Sequence, residues 1–97
     1  MDVDLYIDSV YHGFYPMEYI EERFSEYKQL AEEAVDGIED DEVIVYAVIK
    51  YERDSEKIIY ANLMTVKMTY QEYTEICLED KEYRRYFFLK RGREQNE

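Results

Sequence analysis

The run from Pro16 to Ile38, PMEYIEERFSEYKQLAEEAVDGI, limits what this chain can fold into more than any other stretch, because its apolar residues recur at the period of a helix. Met17, Ile20, Phe24, Tyr27, Ala31, Ala34 and Ile38 are spaced by threes and fours, which stacks them along one stripe. Glu18, Glu22, Glu26, Glu33 and Asp36 fall about half a turn away. A helix so divided must cover its apolar stripe with another layer and turn its carboxylates outward. Pro16 suits a first helical position, where its missing N–H costs nothing, and Glu18, Glu21 and Glu22 suit the positive end of the helix dipole. Gly37 marks the exit.

The flanking segments supply a sheet for the helix to dock on. Asp2 to Asp8, DVDLYID, alternates Val3, Leu5 and Ile7 with polar residues and reads as a first strand with one wet face. Val10 to Tyr15, broken by Gly13, reads as the connection to the helix. Val43 to Tyr51 (VIVYAVIKY) and Lys57 to Met68 (KIIYANLMTVKM) are rich in β-branched and aromatic residues, and the polar ERDSE between them has the length of a hairpin turn. The third strand carries apolar residues on both faces, which places it centrally between the first and second. Thr69 followed by Glu72 matches a capping box, so a second helix is expected from Tyr70 to about Leu78. The spacing of Tyr83, Tyr86 and Phe87 favours further helix; a fourth strand over 83–90 is the alternative.

These elements predict one α+β domain over residues 1–90 with a polar tail over 91–97. Its expected core is a mixed sheet of three strands, or four in the alternative, with the helices on one face in the order β-α-β-β-α. If 83–90 is extended, the order becomes the β-α-β-β-α-β of a ferredoxin-like fold. With 46% hydrophobic and 16% aromatic residues, twelve of them Tyr, the 97-residue chain can bury a core without disulfide or metal staples. The single Cys77 fits a reducing compartment, and the acidic N-terminus has neither the basic flank nor the apolar run of a signal peptide. No stretch approaches a membrane span. A cytoplasmic location is the resulting expectation.

Charge is the most informative part of the composition. The net charge of −12 lies wholly in residues 1–42, where fourteen acids face only Arg23 and Lys28, whereas residues 43–97 are balanced. Residues 81–93 are basic, so the chain reads as a dipole with an acidic N-terminal half. Phosphate would be repelled by that half, which disfavours direct contact with nucleic acid or anionic membrane. Its natural partner is a basic, nucleic-acid-binding protein; a homodimer is also compatible with the sequence.

Catalytic chemistry needs a nucleophile beside a base, a poised acid and base, or a metal. His12, the only histidine, sits beside Gly13 and reads as a turn residue; Cys77 lies among Glu75, Glu79 and Asp80, which oppose a thiolate. Asp2, Asp4 and Asp8 on one strand face, and the acids at 39–42, could attract a divalent cation, but neither group has the spacing of an EF-hand loop. No catalytic residue, metal site or cofactor is therefore expected. The candidate binding residues are Glu18, Glu22, Glu26, Glu33, Asp36, Glu39, Asp40, Asp41 and Glu42. Seven acids between Glu18 and Asp36 span about 27 Å of helix. In size and charge the chain resembles the acidic nucleic-acid-mimicking inhibitors of bacteriophages, among them some anti-CRISPR and antirestriction proteins. The resemblance rests on charge and not on a motif, and it implies a non-enzymatic inhibitor or regulator that occupies a basic groove. The alternative is an interaction or assembly module with a tyrosine-rich apolar surface.

Overall fold

The computed structural model describes residues 2–55, 57–79, 83–91 and 95–96, and within them the α+β class holds. The chain runs β1 (Asp2–Ile7), β2 (Val10–Pro16), α1 (Met17–Ala34), a 3-10 turn (Val35–Gly37), β3 (Glu42–Tyr51), β4 (Ile58–Thr69), α2 (Tyr70–Glu79) and β5 (Arg84–Lys90), with Gln95–Asn96 as a two-residue β6. The strands form one mixed sheet in the order β2-β1-β4-β3-β5-β6. β1 is parallel to β4 and every other neighbour is antiparallel. As the apolar content of the third expected strand implied, β4 lies between β1 and β3.

Three expectations are corrected. Val10 to Pro16 is a strand and not a connection, because Asp8 and Ser9 adopt φ of 51° and 68° and reverse the chain in two residues. Positive φ at both central positions is the geometry that matches strand twist in a tight hairpin. The turn is tied to β4, where Asp8 N–H donates to the Leu63 carbonyl at 2.9 Å and Ser9 N–H to Asn62 Oδ1 at 3.1 Å. Gly13 has φ of +123° beside a register shift that leaves His12 as the extra residue, so it marks a bulge within the strand and not a loop. Secondly, residues 84–90 form a strand and not a helix. Their side chains alternate, sending Phe87 and Leu89 to one side of the sheet and Tyr86 and Phe88 to the other. β5 lies beside β3, whereas a ferredoxin-like arrangement would return the last strand beside the first.

The third correction concerns layering: the helices cover opposite faces of the sheet. α1 lays Ile20 and Ala31, with Phe24 and Tyr27, on Val3, Leu5, Ile44, Tyr46, Ala47, Ile49, Ala61 and Leu63. On the other face Tyr73 of α2 packs with Val43, Val45, Val48 and Phe88, flanked by Met64, Met68 and Tyr86. A strand buried throughout from Val43 to Ile49 needs cover on both sides. A bulge divides its residues between the two layers. The register shifts between Val45 and Ala47 against both neighbours, so Tyr46 and Ala47 both join the α1 core. The capping box forms as expected: Glu72 N–H donates to Thr69 Oγ1 at 3.0 Å and Thr69 N–H to Glu72 Oε1 at 2.9 Å.

Candidate functional site

α1 holds Glu18, Glu22, Glu26 and Glu33 within an arc of about 80° at 100° per residue. All four are exposed, as is Asp36 in the 3-10 turn that follows. Docking of the opposite stripe on the sheet fixes this face outward, and Glu21 and Glu32 widen it. Glu26 pairs with Arg23 at 3.0 Å, while among the described residues Glu18, Glu22, Glu33 and Asp36 make no ion pair. The last turn of α1 has no basic residue. Its negative dipole end and the acids around it therefore add their fields.

The four acids after the helix do not act alike. Glu42 is half-buried and its carboxylate accepts the Glu39 N–H at 2.8 Å, while Glu42 N–H donates to the Glu39 carbonyl at 3.0 Å. It is a clamp of the turn and is not in the exposed array. Asp40 lies 3.6 Å from Arg91 Nε, and the same guanidinium donates to the Ile38 carbonyl at 2.7 Å. Arg91, from the basic segment, thus lies against the acidic loop, and the charge separation read from the sequence is partly closed at this point. Residues 92–94, which belong to the expected tail, lie outside the described residues. Glu39, Asp40 and Asp41 are exposed and extend the α1 array beyond Asp36.

The α2 side of the sheet carries a second surface that the sequence reading left unplaced. α2 covers the half of this face over Val43, Val45 and Phe88, and among the described residues no helix covers the other half. Tyr6 of β1 stands between Tyr11 of β2 and Tyr60 of β4, with ring centroids 5.3 and 5.5 Å away and planes inclined at 61° and 65°. Val10 (61%), Tyr11 (54%) and Phe14 (61%) make β2 an apolar, exposed edge. The Tyr11 hydroxyl donates to Asp4 Oδ1 at 3.0 Å, and that bond to a carboxylate holds the phenol above its ordinary pKa. The alternation of Asp2, Asp4 and Tyr6 in β1 is the available signal for this face; the missing piece is β2, expected as a connection.

His12 is exposed at the β2 bulge, and its carbonyl accepts the Tyr15 hydroxyl at 3.1 Å. Cys77 is free and half-buried on α2. Asp2 and Asp4 lie on β1, whereas Asp8, expected on the same strand face, sits in the turn that follows, and among the described residues no three His, Cys, Asp or Glu side chains converge to hold a metal ion. Among those residues, too, no helix is long and apolar enough to cross a membrane. No family model matches the chain, and neither a curated protein nor a solved structure matches it.

Proposed function

We propose that the protein is a non-enzymatic cytoplasmic inhibitor or regulator that occupies the basic, nucleic-acid-binding groove of a partner protein with the outer face of α1. The observation that carries this reading is the array itself: Glu18, Glu22, Glu33 and Asp36 stand exposed and unpaired among the described residues, continued by Glu39 and Asp41. Helices ordinarily place cations three or four residues from their acids; in α1 Arg23 pairs with Glu26 and Lys28 stands four residues before Glu32, but Glu18, Glu22 and Glu33 have no Lys or Arg at either spacing. Duplex DNA offers roughly one charge per 1.7 Å of axis. Seven acids over about 27 Å are sparser than that, and the turn after the helix thickens the array at one end. Long-range attraction of this kind sets association rate and salt dependence more than residence time.

The test is capture of basic proteins from host lysate on the immobilised protein, with duplex DNA as competitor. Bound proteins should leave between about 0.15 and 0.5 M salt, as an exposed electrostatic contact is screened. Glu22→Lys with Glu33→Lys should abolish capture while circular dichroism stays unchanged. Capture by the double variant with the same salt profile would reduce these carboxylates to a solubility coat. A second reading, an assembly module that contacts its partner through apolar residues, is favoured by the exposed Val10, Tyr11 and Phe14. It predicts capture that survives high salt and is lost in Phe14→Ser.

A further inference from the structure

We propose that Asp4, with the aromatic rings around it, forms a binding site for the ammonium group of a partner's lysine side chain, and that Nε-methylation of that lysine tightens it. This site lies across the sheet from the acidic face of α1 and does not depend on that face. The register sets Asp4 of β1 opposite Phe14 of β2 on one side and opposite Tyr60 of β4 on the other. Cross-strand partners share a face of the sheet. Two residues along the same strand, Tyr6 packs between Tyr11 and Tyr60. The Asp4 carboxylate thus touches Tyr11 through its hydrogen bond and shares its face of the sheet with Phe14, Tyr60 and Tyr6.

The chemistry of this group points to a cation of one type. Asp4 accepts one hydrogen bond, from Tyr11, and among the described residues no Lys, Arg or His forms an ion pair with it. That bond holds the Tyr11 ring beside the carboxylate. Ring faces attract cations through their quadrupole, and most strongly where the cation sheds water easily, as a methylated ammonium does. A guanidinium could stack on one ring, but a compact ammonium is what can meet several inclined rings and a carboxylate together. The adjoining hollow, about 350 Å³, is bounded by Tyr6, Ser9, Tyr60, Asn62 and Arg84.

The test uses a short, otherwise uncharged peptide with one trimethyl-lysine, titrated into the 15N- and aromatic-13C-labelled protein at 0.15 M salt. Shifts should concentrate at Asp4, Tyr6, Tyr11 and Tyr60. The unmethylated peptide should bind roughly two- to five-fold more weakly, in line with the size of a cation–π contact. A neutral isostere bearing a tert-butyl group in place of trimethylammonium should bind about ten-fold more weakly. Asp4→Asn should weaken binding by a similar factor, whereas Asp2→Asn, which removes the same charge from the same strand, should leave it unchanged. Equal loss in the two variants would show general attraction to an acidic protein, and equal binding of the isostere would show an apolar hollow only. Either result overturns the proposal, as does the absence of shifts at millimolar peptide. Glu22→Lys with Glu33→Lys should bind the peptide as the unaltered protein does, which separates this outcome from the fate of the α1 reading.

Discussion

Tyr46 shows how one side chain can join the layers of this fold. It is 1% exposed, and it turns to the α1 core because the bulge in β3 places two successive residues on one face. Its ring meets Phe24 of α1 at 5.6 Å, and Phe24 in turn meets Phe87 of β5 at 5.0 Å edge to face, so three elements share one aromatic cluster. Tyr46→Ala should cost about 3–5 kcal/mol, the range for truncating a buried aromatic, read as a fall in the urea midpoint at unchanged slope. Tyr73 makes a subtler case on the other face. Burial first, and then a hydrogen bond with Cys77, raise its pKa above the ordinary ~10. Because the folded value is the higher one, the unfolded chain loses its proton first as pH rises. The contribution of this phenol is complete below about pH 10 and declines above it. Alkaline melting curves should therefore show a smaller drop in Tm between pH 9.5 and 11 for Tyr73→Phe than for the unaltered protein. Helical spacing alone points to burial of Ile20, Phe24, Tyr27 and Ala31; the structure buries Ile20 and Ala31 and leaves Phe24 and Tyr27 half-buried against the same core. Nothing local announced Tyr46, whose direction depends on a bulge.

At the scale of elements, legibility followed how much of each signal is local. The capping box at Thr69 and Glu72 is a four-residue pattern, and both of its reciprocal hydrogen bonds form. Thr69→Ala should cost about 1 kcal/mol, the usual loss for a helix cap. Since α2 starts directly at that cap, the loss should appear in hydrogen exchange as faster exchange of amides 70–75, with α1 protection little changed. β3 and β4 were readable because β-branched and aromatic residues fill them. β5 was misread because Tyr83, Tyr86 and Phe87 fit a helical spacing, whereas its true partner, β3, lies more than thirty residues away in sequence. β2 was missed for the opposite reason. Gly13 looks like a chain break from sequence, but in the structure it allows a bulge, and a ring atom of Tyr15 lies only 3.2 Å from where a Cβ would be. The same omission hid the open aromatic face, since Tyr11 and Phe14 reach Asp4 and Tyr6 only once β2 is paired.

For the molecule as a whole, the sheet separates two surfaces of different character. One side ends in the carboxylates of α1, and the other in a half-covered field of aromatic rings. The first was legible because helical period assigns a direction to every residue; the second required the strand order. Folding has no need of an acid excess on α1, and this gives the two roles of the array opposite signatures. Glu33 lies in the last turn of α1, where the dipole end is negative, no basic residue is present, and Asp36 follows immediately. A lysine there would meet a favourable dipole and relieve repulsion, each worth a few tenths of a kcal/mol at the surface. Glu33→Lys should therefore raise stability by about 0.3–1 kcal/mol in low salt, and the gain should shrink by 0.5 M salt as screening removes both terms. If α1 engages a basic groove, the same substitution should slow association with the captured partner and flatten its salt dependence. Greater stability with slower association would identify carboxylates retained for binding at the expense of the fold. Greater stability with unchanged association would assign them to solubility and turn attention to the aromatic face.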